Sequence, residues 1–209
     1  MSKKRFSKSS QHWLKEHASD VYVKQAKDTG YRSRAVYKLA QIDACDHLFA
    51  PHKTVVDLGA APGGWSQWLC QRFPNKIQVF ALDILPIAPL LNVTFIQGDF
   101  LEQTVVNNLL NQLGNNKVDL VISDMAPNIS GVKDIDQARI MLLAENTRDF
   151  AYNVLAPKGH LLIKVFVGVG FDVYIKELRS YFKQVVIRKP EASRSRSSEV
   201  YVLAKHYLI

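Results

Sequence analysis

Cysteine is scarce in this sequence. Cys45 and Cys70 are the only two among 209 residues, and neither belongs to a metal-ligand pattern. A reduced, cytoplasmic setting is the simplest reading of so few thiols. The six histidines are scattered, with no His-Glu-x-x-His or Cys-x-x-Cys frame, so no metal site is expected. No apolar run is long enough to span a bilayer. The start, Ser2 to Ser10, is basic but has no apolar stretch behind it, which excludes a secretion signal there. Internal repeats and low-complexity segments are also lacking. What remains is a chain of 47% hydrophobic and 10% aromatic residues, enough for one α/β domain with a full core. A monomer is the default for a single domain of this size.

The net charge of +8 is unevenly placed. Residues 1–38 carry +7, residues 39–182 carry −3, and residues 183–209 carry +4. A neutral-to-acidic body with basic ends points to a polyanion held by the two termini. Residues 1–10 read as a flexible basic arm, and 11–209 as a single domain whose first part, 11–50, is a helical extension on the nucleic-acid side. Within it, helices are expected over Gln11–Lys27 and Ser33–Leu48, broken at Gly30.

After Pro51 strands and helices alternate. The strands expected are Thr54–Leu58, Ile77–Asp83, Val93–Gln97, Val118–Ser123, His160–Phe166, Gln184–Ile187 and Val200–Ala204. Helical patterns fall at Trp65–Phe73, Glu102–Leu113, Asp136–Leu155 and Asp172–Tyr181. This order is the signature of a seven-stranded, mostly parallel sheet with helices on both faces. Only Arg188–Ser198 separates the last two strands. That is too short for a helical crossover, so they should pair antiparallel.

The most informative stretch is Asp57-Leu58-Gly59-Ala60-Ala61-Pro62-Gly63-Gly64-Trp65-Ser66-Gln67, a glycine-rich turn between a strand and a helix. Glycines let a ligand approach the backbone, and the helix start offers free N–H groups. The turn lacks the Gly-Lys-Ser/Thr of a phosphate loop and the spacing of the dinucleotide fingerprint. An acidic strand end followed by small residues suits a cationic nucleoside ligand such as S-adenosylmethionine. Ligands of open α/β sheets bind beyond the carboxyl ends of the strands. Those ends carry Asp57, Asp83, Asp99 and Asp124, with Lys164 in the end of the fifth strand. An isolated Asp after a strand is ordinarily a cap or turn residue, but four carboxylates and a lysine at successive ends form a site. Asp83 is placed for ribose hydroxyls and Asp99 for an adenine amino group. Trp65 either packs on the ligand or belongs to the core.

Four blocks together resemble the FtsJ-type ribose 2′-O-methyltransferases. They are Asp57–Gln67, Ser123-Asp124-Met125-Ala126-Pro127-Asn128, Lys164-Val165-Phe166, and the stretch Arg188-Lys189-Pro190 through Ser193-Arg194 to Glu199-Val200-Tyr201. The likeness covers nearly the whole chain, including Ser33-Arg34-Ala35 before Lys38, and is nearest to the bacterial heat-shock branch. It implies a Rossmann-like methyltransferase fold, S-adenosylmethionine as cofactor, and a uridine ribose of large-subunit 23S ribosomal RNA, or the large subunit itself, as substrate. It implies a Lys-Asp-Lys-Glu tetrad at Lys38, Asp124, Lys164 and Glu199. Gly59, Gly63, Trp65, Asp57, Asp83, Asp99 and Asp124 would hold the cofactor. Lys164 is then either a true base for the 2′-hydroxyl or chiefly its orienting group. Val167-Gly168-Val169-Gly170 and Ser198 depart from the polar residues and the arginine that the resemblance leads one to expect there.

Phosphate contacts are expected from Lys3, Lys4, Arg5, Lys8, Arg32, Arg34, Arg194 and Arg196, which would give salt-dependent, sequence-independent affinity. Three rival readings exist. The same chemistry on a transfer RNA or an mRNA cap is the nearest. A nicotinamide oxidoreductase is disfavoured by the missing fingerprint. A catalytically inactive RNA-binding assembly factor is disfavoured by the complete tetrad.

Overall fold

A computed structural model describes residues 19–209. The basic arm and the first part of the expected Gln11–Lys27 helix lie outside the described residues. Helix α1 covers Val21–Asp28 and α2 covers Val36–Asp46. There follow β1 (Lys53–Leu58), α3 (Gly64–Arg72), β2 (Ile77–Asp83), β3 (Val93–Gln97), α4 (Gln103–Leu113) and β4 (Val118–Ser123). The chain continues through α5 (Lys133–Val154), β5 (Leu155–Phe166), α6 (Phe171–Tyr181), β6 (Phe182–Arg188) and β7 (Glu199–Tyr207).

The seven strands form one sheet in the order β3-β2-β1-β4-β5-β7-β6. Strands β1 to β5 run parallel, and β7 lies antiparallel between β5 and β6. The expected strand set is therefore present, with the antiparallel pair at the expected place. Strand β5 begins earlier than expected, at Leu155 rather than His160. Pro157-Lys158-Gly159 reads as a breaker in sequence. The strand carries it as a kink instead, with Lys158 at φ 66° and a register shift against β4 between Val118 and Leu120.

Alternation along each strand divides the core into two layers. One face of the sheet packs Val56, Leu58, Val121, Ile163 and Val202 against Leu109 of α4, Phe150 of α5 and Tyr174 of α6. The other packs Val55, Ile122, Leu162 and Leu203 against Leu39 of α2 and Trp65, Trp68 and Leu69 of α3. The same period decides where polar strand residues go. Lys164 follows Leu162 by two, so it lies on the α2/α3 side, and Tyr201 and Glu199 lie there with Leu203. Among the described residues no helix is long and apolar enough to cross a membrane.

The chain runs outward from β1 to β3 and then returns to β4, so the switch point lies between β1 and β4. There the Asp124 N–H donates to the Leu58 carbonyl at 3.1 Å. The crevice of an open α/β sheet forms at such a point.

Candidate active site

Sheet register alone brings the central groups together. Lys164 is paired across strands with Tyr201, and Phe166 with Glu199. Ser123 pairs with Ile163, which sets Asp124 level with Lys164 one residue on. The Lys164 ammonium lies 3.0 Å from Asp124 Oδ1 and also donates to the Asp124 carbonyl. Tyr201 donates its hydroxyl proton to the same Oδ1 at 2.6 Å and accepts from Lys38 Nζ at 3.2 Å. Lys38 in turn pairs with Glu199 Oε1 at 2.7 Å. Glu199 also accepts from the buried Ser193 hydroxyl at 2.9 Å. The result is a chain Lys164–Asp124–Tyr201–Lys38–Glu199. Taken singly, Lys38 and Glu199 read as surface residues and Lys164 as a strand-end lysine reaching for water. Their side chains are instead 11%, 14% and 9% exposed, each in an ion pair.

Burial pushes the Asp124 carboxyl up, but Lys164, Lys38 and the Tyr201 hydrogen bond more than offset this and hold it below the usual carboxylate range. The stabilisation it contributes is present above the ordinary carboxylate pKa and is lost as pH falls through the lowered value. Tyr201 moves the other way. Burial, then the charges of Asp124 and Glu199, raise its phenol well above its ordinary value, so it stays a neutral donor at physiological pH. Tyr201 carries no role in the sequence reading, although Glu199 and Tyr201 two apart on one strand necessarily share a face.

The glycine-rich turn lies beside this chain. Gly59 has φ 78°, and a Cβ there would come within 2.6 Å of Met125 Cγ and 2.9 Å of the Met125 backbone nitrogen. No side chain fits, which explains the glycine at this close approach of the β1 and β4 loops. Asp83 is held from both sides: Oδ2 accepts from Ala61 N–H and Oδ1 from Leu85 N–H, both at 2.8 Å. Each oxygen of this fixed carboxylate keeps further acceptor capacity. Asp99 is exposed, and its carboxylate accepts from Leu101 N–H at 2.9 Å.

Asp57 is fully buried; Oδ2 accepts from the Ser66 hydroxyl at 2.6 Å, while Oδ1 has no hydrogen-bond partner among the described residues. Burial, with the nearby charges of Asp124 and Asp83, pushes its carboxyl up to about 7. A buried acceptor without a donor, among three carboxylates, is matched by a cationic ligand. This donor set fits S-adenosylmethionine. Trp65 is 3% exposed, with its indole N–H donating to the Ala35 carbonyl at 2.8 Å and its ring 5.9 Å from that of Tyr201. The ring packs in the core layer with Trp68 and Leu69, directly after the glycine-rich turn. Among the described residues no group of three His, Cys, Asp or Glu side chains could hold a metal ion.

The expected phosphate contacts are dispersed. Lys3, Lys4, Arg5 and Lys8 lie outside the described residues. Arg34 pairs with Asp20 at 3.1 Å and donates to the Ala192 carbonyl. Arg32 donates to three backbone carbonyls. Arg188 makes a two-pronged bond to Asp46 at 2.8 and 3.0 Å, joined by Lys205. Arg194 and Arg196 sit on the loop between β6 and β7, beside Ser193.

Comparison with known proteins gives one concordant picture. The family model of the FtsJ-like methyltransferases matches residues 31–207. A "Ribosomal RNA large subunit methyltransferase E" from Hydrogenovibrio crunogenus is 55% identical over 199 residues, covering 95% of this chain and 97% of that protein. The protein of the same name from Legionella pneumophila strain Corby is 54% identical over 201 residues, covering 96% and 98%. Among solved structures, a Plasmodium falciparum protein described as a ribosomal RNA methyltransferase superposes with a TM-score of 0.76 at 29% identity, covering 85% of this chain and 99% of that one. Human methyltransferase-like protein 13, solved in complex with SAH, shares the fold with a TM-score of 0.61 at 14% identity, over 82% of each chain.

Proposed function

The chain belongs to the FtsJ-like methyltransferases, and on that footing we propose that it methylates a ribose 2′-hydroxyl, of a uridine, in large-subunit ribosomal RNA. The observation that carries the reading is the continuous chain from Lys164 through Asp124, Tyr201 and Lys38 to Glu199, set beside the glycine-rich turn. S-adenosylmethionine, when bound, supplies a methyl group on a sulfonium that needs no further activation. Asp57, Gly59, Gly63, Asp83, Asp99 and Asp124 hold it, the carboxylates matching its positive charge and its hydroxyl and amino groups.

The protein's own task is then to orient the ribose and manage one proton. Lys164 meets the hydroxyl. An ammonium has donors only, so Lys164 accepts the hydroxyl proton if it reaches the site uncharged; otherwise it orients the oxygen while the proton leaves late. Asp124 fixes the direction of Lys164 through two contacts. Tyr201 passes the restraint to Lys38 and Glu199 without changing its own charge. Positioning of this kind supplies much of the barrier reduction in a displacement reaction.

Two results test the reading. Labelled S-adenosylmethionine incubated with large subunits, large-subunit RNA, small subunits and transfer RNA should label the large-subunit substrates only. Label confined to transfer RNA, or to none of them, overturns the substrate assignment. The second is a pH dependence. Asp57 is neutral below about pH 7 and ionised above it, so rising pH favours a cation in the pocket. The ratio of S-adenosylmethionine to S-adenosylhomocysteine affinity should rise several-fold, at most about tenfold, from pH 6 to 8. A flat ratio by calorimetry contradicts a cation bound beside Asp57.

A further inference from the structure

Arg32 stands at the junction of two segments that flank the cofactor site. Its guanidinium donates to the carbonyls of Ala88 at 2.7 Å, Pro89 at 3.1 Å and Pro62 at 3.3 Å. Pro62 belongs to the glycine-rich turn. Ala88 and Pro89 belong to the lip that follows Asp83, whose Ile84 and Leu85 are 57% and 59% exposed. The arginine is itself fixed at its backbone. Arg32 N–H donates to Gln67 Oε1 at 2.9 Å, and Gln67 Nε2 donates to the Gly30 carbonyl at 2.9 Å. The site is built to admit it as well: a Cβ on Gly63 would lie 2.8 Å from the Arg32 guanidinium nitrogen.

We propose that Arg32 is a positioning residue for the cofactor, holding the glycine-rich turn and the lip after Asp83 in register, rather than a phosphate contact. The inference rests on the reading of that turn as the S-adenosylmethionine site. Among the described residues, two polar side-chain contacts join the turn to the lip: the Asp83 carboxylate on Ala61 N–H, and the Arg32 guanidinium. The planar fork of a guanidinium reaches three carbonyls at once, while a lysine ammonium is a single point charge on a flexible stem. The accepting carbonyls are near solvent, so water replaces the lost donors and the fold survives. What is lost is the fixed spacing between Ala61 to Gly63 and Asp83.

Two variants separate this from an RNA role. Arg32→Ala and Arg32→Lys should both weaken S-adenosylhomocysteine binding by about tenfold, read by calorimetry. In both, KM for S-adenosylmethionine should rise while kcat at saturating cofactor is kept. The salt dependence of RNA binding should match wild type in both. The proposal is overturned if both variants bind S-adenosylhomocysteine as wild type does. It is equally overturned if Arg32→Lys restores cofactor affinity while Arg32→Ala alone lowers the RNA salt slope by about 0.7–0.9, the mark of one lost phosphate contact. Wild-type protein that binds no S-adenosylhomocysteine would instead refute the cofactor reading beneath it. Melting temperatures of the two variants show that each is folded when assayed.

Discussion

Lys164→Ala is expected to lower the single-turnover rate of methyl transfer by about 10³-fold, the scale of losing a positioned acid–base group. Its affinity for S-adenosylmethionine should stay within about threefold of wild type, because the residue is proposed to act on the ribose and not on the cofactor. The Lys164 side chain is 9% exposed, and its ammonium is fixed by both the backbone carbonyl and the carboxylate of Asp124. The second lysine of the chain, Lys38, is committed to Glu199 and Tyr201. The variant also leaves Asp124 with Tyr201 as its remaining close donor, so some loss of stability accompanies the loss of rate. A variant that binds cofactor normally and turns over at the wild-type rate removes Lys164 from the chemistry.

Asp124→Asn should be the second large effect, and it should act on rate and stability together. The carboxylate lies between two lysines, and burial alone would raise its pKa; the cations and the Tyr201 hydroxyl reverse that shift. An asparagine keeps the acceptor for Tyr201 but removes the charge, leaving the nearly buried Lys164 ammonium without its carboxylate while Lys38 keeps Glu199. Breaking a buried pair in this way costs about 3 kcal/mol of folding stability. The rate should fall by about 10²-fold as Lys164 loses its orienting partner. The double variant Lys164→Ala/Asp124→Asn is the informative control. It removes the stranded cation, so its stability loss in urea should be smaller than the sum of the single losses. Its rate should be no lower than that of Lys164→Ala. Strict additivity in both quantities would show that the two side chains do not work as a unit.

The sheet was legible in the sequence because strands β1 to β4 are short apolar runs closed by a glycine or a carboxylate. The strand ends of the site were legible for the same reason, since Asp57, Asp83 and Asp124 all close such runs. Three features escape a local reading, each because it is set by long-range pairing, although the family resemblance names Lys38 and Glu199. Pro157-Lys158-Gly159 looks like a breaker, and only pairing of Leu155 with Val118 makes it part of β5. Lys38 and Glu199 are 161 residues apart, and nothing local distinguishes them from solvated charges. Arg32 and Arg34 fall in the basic start, where net charge points to phosphates. Their guanidinium groups donate to the carbonyls of Pro62, Ala88, Pro89 and Ala192 and pair with Asp20, partners that sequence does not place beside them. Tyr201 was the most accessible omission, because strand alternation already aligned it with Glu199.

The measurement that bears most directly on this account is the chemical position of the transferred methyl group. Large-subunit RNA labelled by the wild-type protein would be digested to nucleosides and resolved by mass spectrometry, with Lys164→Ala run in parallel. The account predicts a single 2′-O-methylated uridine, resistant to alkaline cleavage on its 3′ side, and no such nucleoside from the variant. A methyl group found on a base, or a 2′-O-methyl nucleoside formed equally well without Lys164, would contradict it.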